Sequence, residues 1–355
     1  LHKMYDNLSF VPTLAQSVIV HMIFSIILFR YAVQNSNDAQ NAAQLNYRSN
    51  MYYHHCLSLV GQLFASQTFE DCQALMLVCY HMRNFPKPGA SWIMINATFT
   101  LALELGLHRS PKKVLTNSSL SILDIEMRKR AFWVLLGFHV DLSGKLGKPI
   151  RLRSEDLDCE IPEYVDDEAL ENGIYTPSID YNNSIGIEAM KLVPLYIELY
   201  SVIYAVRRKK ESYVMTINNL EAQLRSWKES LPAKQPETQE NLGFRLFTQM
   251  FQLEFRLLLR HPSAWIPDND PAFNAESLRI CVESSRQMQV VVRQIQEIRL
   301  LDTTWCNAVI YVLAITTTLF AQWEMRDEST SASLAALEDE MDIWLDVMGD
   351  VGKLL

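Results

Sequence analysis

The chain has 355 residues, 49% of them apolar and 21% charged, a balance that excludes a disordered tail and a membrane protein and allows one large or two ordinary domains. Its 11 glycines are about 3% of the chain against a usual ~7%, too few for a turn-rich β-protein, so the fold expected is all-α. A net charge of -9, from 41 acidic and 32 basic residues, excludes the basic excess with which nucleic-acid-binding surfaces displace counterions, and these residues are not expected to bind DNA by themselves.

Apolar residues recur at three- and four-residue spacing over almost the whole length, which predicts about eleven helices in one large body, with no fixed-period repeat to support a solenoid. The first four are expected over 13–33, 42–64, 69–82 and 90–105, with Pro86 and Pro88 forcing a break before the fourth and Gly106 closing it as a C-cap. Segment 17–29 is strongly apolar, but His21 interrupts it and Arg30 closes it short of the ~20 residues that span a bilayer. It reads as a buried core helix, and no membrane partner is expected. The sequon at Asn96 falls inside a predicted helix, and it and the one at Asn117 read as chance matches.

A fifth helix runs over 122–145, opened by Ser121 as N-cap, with Asp124 and Glu126 where the helix dipole favours anions. From 147 to 185 the periodicity disappears. Ten Asp and Glu stand between 155 and 180 without a Lys or Arg, six more between 338 and 350, and both runs read as solvated. Helices resume over 188–208, 211–230, 242–260, 275–300, 303–326 and 333–351. The cysteines at 56, 72, 79, 159, 281 and 306 form no C-x-x-C pair, so they read as buried thiols in a reducing compartment. The chain begins at Leu1 without a signal-peptide layout and reads as an excised piece.

The densest pattern lies between Ala90 and Pro162. It comprises Ala102-Leu103-Glu104-Leu105-Gly106-Leu107-His108-Arg109, then Arg128-Lys129-Arg130-Ala131-Phe132-Trp133, then Asp141, Gly147-Lys148-Pro149, Asp158 and Ile161-Pro162. In that order it resembles the signature of the fungal-specific transcription factor domain, the middle homology region of binuclear zinc-cluster regulators. Phe255-Arg256-Leu257-Leu258-Leu259-Arg260-His261-Pro262 is similar to the family's second half. Lysine stands at 148 where the family commonly has arginine, and Leu142 where arginine often follows the aspartate.

The resemblance implies a regulatory domain acting in the nucleus, with coactivators or the transcription machinery as partners. It also implies a possible homodimer in the full-length protein, and a zinc-binding DNA reader preceding these residues. Zinc is expected only there, and this body is expected to hold no metal or cofactor. Two modes are open: a sensor of a small-molecule effector, or a ligand-free helical protein-interaction scaffold.

Physically, Arg130 and Trp133 share a helix face, so the arginine stem can cover the indole while its head binds a carboxylate, with Asp141 and Asp158 as candidate partners. The histidines show no H-E-x-x-H, Gly147-Lys148-Pro149 is not a phosphate loop, and no G-x-S-x-G is present. Asp166-Asp167-Glu168-Ala169-Leu170 misses the third carboxylate of D-D-x-x-D, so the chain reads as no enzyme. An effector pocket is expected between helices of the second half, walled by Trp227, Phe251, Phe255, Trp305, Tyr311 and Trp323. Leu337, Met341, Trp344, Leu345 and Met348 recur on one face of an otherwise acidic helix, the mixture found in activation segments that bind coactivators. The expected organisation is a signature-bearing part over 1–165, an acidic connection over 166–185, a helical part over 186–330 and this terminal helix over 331–355.

Overall fold

The computed structural model describes residues 6, 9–35, 38–111, 120–174, 184–208, 212–232, 238–266 and 270–352. Asn117, Lys209, Lys210, 175–183 of the acidic connection and the last three residues of the terminal segment lie outside them. Among the described residues there are twelve α-helices: α1 Leu14–Gln34, α2 Ala39–Ser66, α3 Phe69–Met82, α4 Pro88–Glu104, α5 Ile122–Lys145, α6 Asp167–Glu171, α7 Ser184–Glu198, α8 Tyr213–Glu229, α9 Gln239–Arg260, α10 Pro271–Glu297, α11 Trp305–Glu324 and α12 Ser331–Gly352. The all-α expectation holds.

Local chemistry sets the starts. Thr13, Thr68 and Ser121 each close a capping box with Gln16, Asp71 and Asp124, while Pro88 and Pro271 open their helices at positions where no amide hydrogen is needed. Two starts and stops depart from the pattern. The helix expected over 188–208 ends as α7 and passes into a π-helical turn, Leu199–Ile203, after the internal Pro194 has removed a backbone donor. The short α6 was hidden in the acidic run, capped by Asp166.

Helices α1 to α4 pack in sequence, α4 passes to α5, and α5 then contacts both α7 and α11 of the second half. α5 is therefore the joint between the halves. It buries eleven residues, from Glu126 to Ser143, and one continuous core runs from Val18 through Phe132 and Phe255 to Trp344.

Two features correct the sequence reading. α1 is 21 residues long and, with α11, is long and apolar enough to cross a membrane by length and composition, yet it lies at the surface of this body and exposes Phe24, Ile27 and Tyr31. It buries Val18, Met22 and Phe29 on its other side, so it is apolar all round rather than a fully buried core helix. The acidic runs are also less solvated than expected: Asp158 and Glu160 accept hydrogen bonds from Ser110, and Glu340 is buried.

All six cysteines are buried and unbridged. Burial pushes the thiols of Cys72, Cys79, Cys159 and Cys281 up to about 12, and those of Cys56 and Cys306 to about 11. Since the thiolate is the nucleophile, a thiol-exchange reagent at neutral pH should label none of them within minutes in the native protein and all of them after unfolding. Rapid native labelling of any one would contradict this packing.

Candidate functional site

The signature residues meet around α5. Gly106 has φ +67° and ends α4, with the Leu107 amide donating to the Ala102 carbonyl at 3.0 Å; Gly147 has φ +62° and ends α5, with the Lys148 amide donating to the Ser143 carbonyl at 2.8 Å. Both are six-residue closures that want glycine at the left-handed position. Pro149 follows the second closure at the surface, while Leu107 and Pro162 are buried. Arg128 donates to the Leu105 carbonyl at 3.0 Å, and the Trp133 indole donates to the Glu160 carbonyl at 2.9 Å. Asp158 accepts from the Ser110 amide at 2.9 Å and pairs with Arg109 at 3.4 Å, beside His108.

Arg130 donates to Asp167 and, at 3.0 Å, to the Val165 carbonyl. Of the two aspartates proposed from the sequence, Asp141 pairs with Lys145 and Asp158 with the Arg109 loop. The reason is chain direction: α6 returns across α5 at Arg130, about three turns before Asp141. Asp167 is 61% exposed, so the ion pair itself contributes little, and Arg130→Ala should cost about 1–3 kcal/mol, mainly through the orphaned carbonyl and lost packing. Urea unfolding measures it, and an unchanged midpoint would remove this role.

A cavity of about 440 Å³ opens between α5, α7 and α9. Its apolar walls include Val134, Gly137 and Phe138 of α5, Val193 of α7 and Phe247 and Phe251 of α9. It therefore lies between the two halves of the chain, not within the second. Of the six aromatics expected to wall a pocket, Phe251 and Tyr311 line it. Phe255 stands edge-on behind Tyr196, with centroids 5.0 Å apart, and Trp227 is buried in the core. Trp305 packs against the separate cluster of Cys79, Ile95 and Leu142, and Trp323 is 63% exposed beneath Arg326.

One end of the cavity is polar, formed by Arg83, Asp141, Lys145, Glu254, Asp302 and Asn307. The Lys145 side chain is 5% exposed and sits 2.6 Å from Asp141 and 3.3 Å from Glu254. Burial opposes its charge, yet the two carboxylates hold the ammonium well above the usual lysine range. Burial pushes the Glu254 carboxyl up, against the pull of Lys145. The Arg83 guanidinium lies 4.8 Å from the Phe138 ring centroid. Beside this end, the Tyr200 ring rests on Gly144 so closely that a Cβ there would fall 2.1 Å from a ring atom. The sequence offered only the Asp141–Lys145 spacing as a signal. Glu254 and Tyr200 come from distant elements.

The terminal helix α12 docks on α10 and α11. Trp344 is wholly buried against Tyr311, Leu337, Met341 and Met348 are half-buried, and Leu345 points out at 67% exposure. Leu345 thus leaves the face expected of it, because Glu340, Val347 and Val351 complete the docked stripe at three- and four-residue steps. Polar ties accompany the docking: Arg286 to Glu340 at 3.2 Å, Gln289 to the Glu340 carbonyl at 2.6 Å, and Arg293 to Asp346.

Among the described residues no group of three His, Cys, Asp or Glu is placed to hold a metal ion. The family model for the fungal specific transcription factor domain matches residues 4–229. The chain is 25% identical to Activator of stress genes 1 of Saccharomyces cerevisiae over 81% of its own length and 30% of that protein's. It is 23% identical to an ABC-transporter-regulating transcription factor of Aspergillus fumigatus over 51% of its length and 20% of that protein's. It is 30% identical to the transcriptional activator protein acu-15 of Neurospora crassa over 37% of its length and 14% of that protein's. The chain spans well under half the length of these curated relatives. No solved structure matches.

Proposed function

The chain belongs to the fungal-specific transcription factor domain family, and from that premise we propose that it is the regulatory body of a zinc-cluster transcription factor, controlled by a small-molecule effector held between its halves. The observation that carries this reading is the cavity of about 440 Å³ at the α5, α7 and α9 joint, within the ~300–1,000 Å³ of ligand pockets and similarly apolar with a few convergent polar groups. A ligand there touches both halves at once, so it biases how they pack. The output element of this reading is α12, whose anchor Trp344 leans on Tyr311 of the same cavity. DNA contact is assigned to a zinc-binding module of the full-length protein, in keeping with this body's charge of -9 and with action in the nucleus.

A thermal-shift screen against sugars, organic acids, amino acids, amines and apolar drugs tests it, because a ligand that binds only the native state raises its melting temperature by mass action. Hits should lose their effect in Gly137→Leu, which fills the cavity from α5, and should alter a reporter driven by this chain fused to an unrelated DNA-binding domain. A screen without hits sinks the sensor reading. The scaffold reading then gains, and its own support is the exposed apolar set of Phe24, Ile27, Tyr31, Tyr47 and Met51 on α1 and α2.

A further inference from the structure

The cavity's two ends differ in chemistry. Its length along α5, α7 and α9 is apolar, with Val134, Phe138, Val193, Phe247 and Phe251 as walls. Its polar end carries three carboxylates, Asp141, Glu254 and Asp302, against two bases, Arg83 and Lys145. The bases are already engaged. Lys145 is held between Asp141 and Glu254, and Arg83 lies over Phe138 within electrostatic reach of Asp302 and Asp141. Asp302 meets only the Thr304 amide at 2.8 Å among its hydrogen bonds, and it and Glu254 both act on the Tyr311 hydroxyl. The end therefore has one carboxylate more than its cations, and of these groups Lys145 and Glu254 are buried, at 5% and 10% exposure.

We propose that the effector site takes an organic monocation, a compact apolar body bearing one ammonium group, with the ammonium seated among Glu254, Asp302 and the Tyr311 ring. The inference rests on the effector reading above and narrows its ligand class. An incoming cation supplies the missing positive charge, and the aromatic walls give it ring faces as well as carboxylates. An anion must instead compete with Asp141 and Glu254 for Lys145 while lying near a surplus of like charge. A neutral body of the same shape gains the apolar wall alone. Burial, with the neighbouring Asp141 charge, keeps the Glu254 carboxyl raised although Lys145 and Arg83 both pull it down.

The test uses this 355-residue chain and three probes sharing one apolar body: adamantylmethylamine, adamantylmethanol and adamantane carboxylate, titrated by calorimetry at neutral pH. The amine should bind on the order of ten-fold tighter than the alcohol, as expected for one charge-assisted contact, and the carboxylate weakest. Asp302→Asn keeps the acceptor for the Thr304 amide and removes one charge, so it should erase the amine's advantage and leave the alcohol unchanged. Gly137→Leu adds helix propensity and fills the cavity, so it should abolish binding of all three without lowering the melting temperature. Equal affinities for amine and alcohol, or a preferred carboxylate, overturn the cation assignment and leave the cavity as a ligand site. Amine binding that survives Gly137→Leu overturns it too, by placing the amine elsewhere. If none of the probes binds, the assignment and the effector reading fall together.

Discussion

Lys129→Met should lower the folding stability of the body by about 3–5 kcal/mol. Lys129 and Glu126 form an ion pair at 2.6 Å one turn apart on α5, with side chains only 1% and 3% exposed. The second Glu126 oxygen accepts the Glu163 amide at 3.0 Å, so this carboxylate also holds the segment that precedes α6 onto the helix. Methionine fills most of the lysine's volume but leaves Glu126 buried with a single neutral donor. The loss is therefore that of an uncompensated charge, not of packing. A partner substitution separates the two: Lys129→Met with Glu126→Leu removes both charges and should recover part of the loss, though the Glu163 amide stays unpaired. Urea unfolding of the parent, both single variants and the double closes the cycle. Additive losses, or a single variant as stable as the parent, would show that the pair is not buried in solution.

This pair also shows what could and could not be read from the residues. Helix α5 was legible to its ends, because Ser121 and Asp124 cap it, Gly147 closes it and its apolar spacing is helical throughout. The signature order was legible as well, and the family model bears it out. Partners across the fold were not. Nothing in the sequence announces that Lys129 is buried beside Glu126, whose other oxygen takes the Glu163 amide from across the fold. Arg130 likewise finds Asp167. The cavity was misplaced because helical periodicity reports which face is apolar, not which other helix covers it, and α5 leaves part of its apolar face uncovered at Gly137. Glycine 144 is the extreme case: nothing near it in sequence announces the Tyr200 ring that needs its missing side chain.

Trp344→Ala should cost about 3–5 kcal/mol, the range for deleting a large buried aromatic. The indole is wholly buried, 5.9 Å from the Tyr311 ring centroid, in a stripe completed by Val347 and Val351. Of the polar ties, Arg293 and Asp346 are 41% and 61% exposed, so that pair adds little. Trp344 is thus the principal anchor of α12, and its removal loosens this helix before the rest of the core. Amide exchange should show α12 losing protection while α3 and α5 keep theirs. The proposed output role makes a second, opposite reading available. In a fusion of the whole chain to an unrelated DNA-binding domain, freeing α12 should raise reporter activity, whereas in a fusion of 331–355 alone the same substitution should lower it by removing the residue a coactivator groove grips. A whole-chain fusion that falls silent together with the isolated segment would make α12 a structural helix only, and the stability loss would then stand without the switch.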